Sequence, residues 1–330
     1  MADAAEPPAK APRLSEDACA GDLEKRLAEE DAAIAELEAQ LRKRREARTA
    51  VLQERQASLQ QDGRGFLSSI KRSSLPDTTT VLMLQKWNTP TIFNGWEQIT
   101  KNPNFGRECF NLEPVMDHMP QMGPLVGFAV TVKIRPGDKE VASKMASGRQ
   151  KFREHVATLP PHLPKIIVVQ DEDKPYIFGS LWGEVNATFF RSVGAVGCLV
   201  DGGVRDLDEM TAVGFHAMSR GVCIGHSFGG IPVAWDVPVS VFGVTVRPGQ
   251  LVHADKHGFL AVPEEDEGRL LDATEFMDLL ERKHTIVPGK EGAGSSVDSI
   301  TKAMAEANAA FGREKTERYG TYADRFGSAA

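Results

Sequence analysis

Five short runs of β-branched and apolar residues constrain the fold of this chain most. They are Val126 to Ile134, Lys165 to Val169, Val196 to Val200, Val239 to Val246 and Phe259 to Val262, each bounded by Gly, Pro or Asp. Runs of this length and composition read as buried strands. Between the second and third, Glu184 to Val193 carries a helical pattern, and a further helix is predicted from Leu207, after a turn at Asp201-Gly202-Gly203. Strands alternating with helices predict an α/β domain beginning at about residue 75. Helical stretches at Leu270 to Lys283 and Asp298 to Phe311 then form an extension over 264–330.

The N-terminal part is written differently. Residues 1–14 are rich in Ala and Pro and are predicted to lack fixed structure. Leu23, Leu27, Ile34, Leu37, Leu41 and Val51 follow a 4/3 spacing, with Glu30, Arg44 and Arg48 at the intervening seam positions. This predicts a helix over 15–61, either one strand of a coiled coil or a single long surface helix. Asp62-Gly63-Arg64-Gly65 stops it and opens a linker over 62–74, ahead of a domain spanning 75–263.

Charge and composition narrow the function. A net charge of −7 argues against a broad nucleic-acid surface, because phosphate binding draws on clustered Lys and Arg. The basic stretch Arg42 to Arg48 reads as a solvated helix face. No run approaches the roughly 20 apolar residues that span a bilayer, and the acidic, apolar-poor start lacks a secretory signal. Four cysteines without a C-x-x-C pair suggest reduced thiols and a cytoplasmic protein. Ser227 lacks the nucleophile-elbow spacing of hydrolases, and His216, His226, His253 and His257 match no zinc pattern. Trp87, Phe93 and Trp96 are expected to pack the core.

Two loops carry the candidate chemistry, Gly179 to Glu184 and Asp201 to Asp206, since each follows a strand and opens a helix. Helix N-terminal amides bind carboxylates. Neighbouring parallel strands would bring both loops to the carboxyl edge of the sheet, where ligands of α/β proteins sit. There Glu184 and Asp206 offer carboxylates to a hard divalent cation, and Arg205 offers a guanidinium to a substrate oxygen. Each residue taken singly is also met by a plainer role. Asp206 and Glu209 have capping-box spacing, Glu184 suits the helix dipole, and Arg205 suits a surface ion pair.

From about Thr89 to Pro263 the chain resembles the RraA-like family, which contains 4-hydroxy-4-methyl-2-oxoglutarate aldolase and the regulator of ribonuclease E activity A. The resemblance rests on Gly127-Phe-Ala-Val-Thr-Val132, Trp182-Gly-Glu184, Gly194-Ala-Val-Gly197, Asp201-Gly-Gly-Val-Arg-Asp206, Arg220-Gly221, Val244-Thr-Val-Arg-Pro-Gly249 and Ala254-Asp255-Lys-His-Gly258. Its most specific element is an acid, twenty residues, then Arg-Asp, here Glu184 and Arg205-Asp206. The resemblance implies a layered β-β-α swivelling, phosphohistidine-like fold and a homotrimer or hexamer with sites between subunits. It also implies a Mg²⁺- or Mn²⁺-dependent lyase that cleaves 4-hydroxy-2-oxo acids, decarboxylates oxaloacetate, or both, giving pyruvate. By the same implication Asp206 ligates the metal directly and Glu184 acts through water. Arg205 contacts substrate, and Gly183, Val185 and Asn186 supply the backbone that receives its carboxylate. Glu184 stands where the aldolases often carry Asp. The family's ribonuclease-regulating members offer the alternative of a non-enzymatic interaction protein.

Overall fold

A computed structural model describes residues 78–144, 147–226, 232–292 and 296–327, together with residues 36, 39, 40 and 43. Those four N-terminal residues are helical. The rest of the 15–61 helix, the 62–74 linker and Ser227 lie outside the described residues. The chain divides into two units, residues 1–62 and 63–330.

In the second unit, α1 (Thr78–Met83) and α2 (Thr89–Ile99) precede β1 (Met116–Asp117) and β2 (Leu125–Ile134). Helices α3 (Lys139–Lys144) and α4 (Gly148–Thr158) lead to β3 (Lys165–Asp171), α5 (Glu184–Ser192), β4 (Ala195–Val204), α6 (Leu207–Ala212) and β5 (His216–Val222). Then come β6 (Pro232–Trp235), β7 (Val239–Val241), β8 (Val244–Val246), β9 (Leu251–Asp255) and β10 (Gly258–Val262). The chain ends in α7 (Glu264–Glu281), a π-helical turn (Arg282–Ile286), α8 (Val287–Glu291), α9 (Val297–Tyr319) and α10 (Tyr322–Phe326).

One mixed sheet runs β1-β5-β4-β3-β2-β9-β10, with β6 also paired to β2. Strands β2 to β5 are mutually parallel, as the two-loop reading requires. Alternation along β3 sorts the core into layers, because successive side chains of a strand face opposite sides. Ile167 and Val169 join Phe152, Trp182, Phe190 and Phe215 under α4, α5 and α6. Ile166 and Val168 join Phe242 and Phe259 under the β7–β8 hairpin. Trp87 and Trp96 pack in a third cluster between α2, α7 and the β9–β10 end of the sheet, as expected of them. There Gly95 lets α2 and α7 approach closely, since a Cβ at that position would lie 2.6 Å from the backbone of Thr274.

The sheet nearly closes on itself. Residues 110–117 cross from one edge to the other: Phe110 bridges Leu260 of β10, and Met116 pairs with Ser219 of β5.

Two expectations are corrected. Asp201-Gly202-Gly203 is not a turn but the end of β4, where the register with β5 shifts between Val200 and Gly203. The glycines make a bulge because neighbours fill the space a side chain would take, Asp171 at Gly202 and Ile177 with Cys223 at Gly203. Residues 239–246 are not one strand but a hairpin. Phe242 and Gly243, with φ of 48° and 80°, supply the left-handed pair that a two-residue turn requires.

Candidate active site

The two loops are joined backbone to backbone. Trp182 bridges Val204, and the Arg205 N–H donates to Trp182 O at 3.2 Å. Ser180, buried, stiffens the first loop by donating to Trp182 O at 2.7 Å and accepting from Trp182 N–H at 2.8 Å. Beneath them the Trp182 ring stacks on Phe215 at 5.0 Å between centroids. Residues 183–184 and 205–206 are thereby held face to face.

Asp206 is the feature that sets this junction apart. It occupies the N-cap position of α6 with left-handed backbone angles, φ 55° and ψ 48°, and its side chain makes no capping bond. The capping-box reading of Asp206 and Glu209 is therefore overturned. The left-handed backbone swings the carboxylate away from its own helix, and Oδ2 accepts instead from the Glu184 N–H at 3.1 Å. A left-handed non-glycine residue costs of order 1–3 kcal/mol, and such residues collect at functional sites. The Arg205 Nε lies 3.6 Å from the same oxygen, both side chains being about a third exposed, and its Nη1 donates to Ile224 O at 3.4 Å.

Gly183 is matched to this arrangement. A Cβ there would lie 2.4 Å from Asp206 Oδ2 and 3.1 Å from Arg205 Nε. Its φ of −167° is extended and open to any residue, so the constraint is space alone.

Around these groups lies a cleft of about 190 Å³. Arg205, Asp206, Gly183, Val185 and Asn186, five of the candidate site residues, line it together with Ser180, Leu181 and Trp182. Glu184 does not line it. Its amide meets Asp206, while the residue is exposed as the first of α5. The first helical bond of α5 runs from Ala187 N–H to Gly183 O, so the amides of Val185 and Asn186 precede the helix ladder and can serve a ligand. Arg149, Arg153 and His226 also line the cleft and were not singled out as site residues. Their clue is the four-residue spacing of the two arginines on one helix face. His226 offers no such clue, since its spacing matches no zinc pattern.

Near the ends of β3 and β4 lies a buried ionic network. Asp201, fully buried, accepts from Arg220 Nε at 2.7 Å and Phe242 N–H at 3.0 Å, and also from Lys174. Arg220 reaches Glu113 as well. Asp171 is equally buried, and among the described residues its Oδ2 has no hydrogen-bond partner. Burial pushes its carboxyl up to about 7.

Among the described residues no three His, Cys, Asp or Glu side chains gather as a metal cage. What the junction offers is the Asp206 carboxylate, met by the Glu184 amide, while the Glu184 side chain stands exposed outside the cleft. A single carboxylate suits a hard ion such as Mg²⁺ or Mn²⁺ that keeps most of its waters, and Asp206 fits such an ion.

Residues 96–261 match the RraA-like family, described as Aldolase/RraA. The chain belongs to this family. Protein DlpA of Legionella pneumophila is 22% identical over 52% of this chain and 26% of its own length. A putative 4-hydroxy-4-methyl-2-oxoglutarate aldolase of Halalkalibacterium halodurans is 34% identical over 24% of this chain and 39% of its own. The matches thus span well under half of either relative. A solved Streptomyces coelicolor structure, titled an unusual member of the RNase ES inhibitor RraA protein family, superposes with a TM-score of 0.51 at 23% identity. It covers 63% of this chain and 96% of that one, and shows a shared fold. Among the described residues no helix is long and apolar enough to cross a membrane.

Proposed function

We propose that the protein is a divalent-metal-dependent lyase that cleaves 4-hydroxy-2-oxo acids of the 4-hydroxy-4-methyl-2-oxoglutarate type, decarboxylates oxaloacetate, or does both, releasing pyruvate. The observation that carries this is the Asp206 carboxylate, turned off its own helix onto the amide that opens α5, beside Arg205 and within a cleft.

In this reading the Val185 and Asn186 amides, at the positive end of the α5 dipole, receive the substrate carboxylate. Arg205 faces the 2-oxo oxygen and stabilises the charge that develops there as the neighbouring carbon–carbon bond breaks. Asp206 would hold the metal directly, with Glu184 acting at one remove. The ion, when bound, supplies Lewis acidity to the 2-oxo group. Trp182, Leu181 and Asn186, all buried, wall the cleft and limit water around the reacting carbon.

We further propose a homotrimeric or hexameric assembly in the cytoplasm. Tyr176, Phe178, Val185, Val222 and Ile224 are exposed apolar side chains on and beside the loops that form the cleft, a surface suited to a second subunit. Cys109, Cys198 and Cys223 are free thiols, which suits a reducing compartment.

The test is pyruvate release from oxaloacetate and from 4-hydroxy-4-methyl-2-oxoglutarate with and without Mg²⁺ or Mn²⁺. Turnover that requires the ion and is lost in Asp206→Ala supports the lyase. A purified protein that binds a ribonuclease and turns over no 2-oxo acid with either ion overturns it.

A further inference from the structure

We infer that His226 is the proton-transfer group of the cleft. Its imidazole takes the hydroxyl proton of a 4-hydroxy-2-oxo acid and returns a proton to the carbon that becomes the methyl group of pyruvate. This role rests on the lyase reading, which leaves both proton steps without a residue.

The segment that carries His226 is tied to both catalytic loops. The Cys223 N–H donates to Val204 O at 2.9 Å, and the Ser180 N–H donates to Gly225 O at 3.1 Å. Between those two bonds, Arg205 Nη1 reaches the Ile224 carbonyl at 3.4 Å. Residues 223–225 are thereby held by the end of β4 on one side and by the first loop on the other. His226 follows directly and lines the cleft that holds Arg205 and Asp206. It is also exposed, as a group that must exchange protons with solvent has to be.

Chemistry singles it out among the side chains of the cleft. Arg149, Arg153 and Arg205 keep their protons throughout the working range of a protein. Trp182 can only donate through its indole N–H, Asn186 is a neutral amide, and the Ser180 hydroxyl is already given to Trp182 O. Asp206 and His226 remain. The Asp206 carboxylate accepts from the Glu184 N–H and is the group that would hold the ion, while the Glu184 side chain stands outside the cleft. Imidazole is the side chain that both gives and takes a proton near neutrality.

The atoms balance with this one group. In retro-aldol cleavage the neutral imidazole takes the C4 hydroxyl proton as that oxygen becomes a carbonyl and the C3–C4 bond breaks. The electron pair of the bond passes to C3 and the 2-oxo oxygen, which Arg205 faces. The imidazolium then gives its proton to C3, the 2-oxo carbonyl re-forms, and pyruvate leaves with the second carbonyl product. Oxaloacetate needs only the latter half: carbon dioxide departs without any proton being removed, and a proton from solvent reaches C3 through His226.

The experiment uses the full chain with Mg²⁺ and compares wild type with His226→Asn and His226→Ala in three reactions. These are retro-aldol cleavage of 4-hydroxy-4-methyl-2-oxoglutarate, decarboxylation of oxaloacetate, and exchange of the pyruvate methyl protons for deuterium in D₂O, followed by NMR. A positioned acid or base contributes about 10²- to 10⁴-fold, so both variants should lose at least about 100-fold in retro-aldol kcat and in methyl exchange. Decarboxylation should fall by a far smaller factor, because its bond breaks before any proton is required. Calorimetric binding of pyruvate should stay at the wild-type level, which shows that the cleft is intact. Added imidazole should restore part of the lost rate in His226→Ala, a rescue that a structural role would not give. Equal losses in all three reactions, a loss explained by weakened pyruvate binding, or full retro-aldol rates in the variants overturn the role of His226 and leave the lyase standing. A wild type inert in all three reactions sinks the lyase reading and the proton role together.

Discussion

Replacing Gly183 with alanine separates the position of the Asp206 carboxylate from the stability of the fold. The new Cβ would sit 2.4 Å from Asp206 Oδ2, whereas real contacts of this kind essentially never fall below 3.0 Å. The carboxylate must therefore retreat by at least about 0.6 Å, since repulsion rises steeply inside van der Waals contact. It can do so cheaply, because the Asp206 side chain is a third exposed and the Gly183 backbone is extended. The losses are the Glu184 N–H bond and the difference between Gly and Ala at an N-cap, together about 1–2 kcal/mol. For a domain of this size that is a fall of roughly 2–8 °C in Tm. Chemistry is far less tolerant, since misplacement by about 1 Å costs on the order of 100-fold in rate. Thermal melting and Mg²⁺-dependent pyruvate release, measured on the same preparation, should show a small Tm loss with a fall of tens- to a hundredfold in kcat. Near-wild-type kcat would refute the reasoning by showing that the Asp206 position does not matter to the reaction.

Two further perturbations probe the framework. Asp171 keeps its proton in the fold up to about pH 7, whereas its ordinary value is 3.8. The folded state therefore binds the extra proton between those values, and stability falls as pH rises through that window, then levels. Melting curves from pH 4 to 8 should lose that decline in Asp171→Asn, and parallel profiles for variant and wild type would count against it. Gly95→Ala would drive a Cβ to 2.6 Å from the Thr274 backbone, which cannot rotate aside. Parting α2 from α7 should cost about 1–3 kcal/mol, read as a Tm loss of several degrees, and an unchanged Tm would mean the helices are not so tightly apposed.

The strands β2, β3 and β10 were legible because β-branched runs between breakers leave few alternatives. Strand β5, His216–Val222, was not, because its composition is small and polar and its pairing is secured by distant partners. His216 Nε2 lies 2.7 Å from Asp117, and Ser219 Oγ lies 2.7 Å from His118. The hairpin at Phe242-Gly243 was hidden inside an apolar run, where a turn shows only through backbone angles. At the site, the spacing of Glu184 and Arg205-Asp206 was readable, yet D-x-x-E at a helix start signals a cap. Only the left-handed φ of Asp206 and its bond across 22 residues reveal another task. Apart from their spacing, Arg149 and Arg153 carry no site signal in the sequence, because only tertiary packing brings α4 against the first turn of α5.

Residues 110–117 acquire another meaning when the sheet is considered as a boundary. Unpaired edge strands are where proteins recruit unwanted copies of themselves. Here a single stretch of chain occupies β10 at Phe110 and β5 at Met116, so neither margin is wholly open to a stranger. Between those two stitches, Glu113 meets Arg220, which also binds the Asp201 carboxylate near the end of β4. Loosening this seam would do two things at once: expose a sticky margin and slacken the ground on which Arg205 and Asp206 stand. Guarding against aggregation and bracing the strand that leads to Arg205 and Asp206 are, in this molecule, duties of the same eight residues.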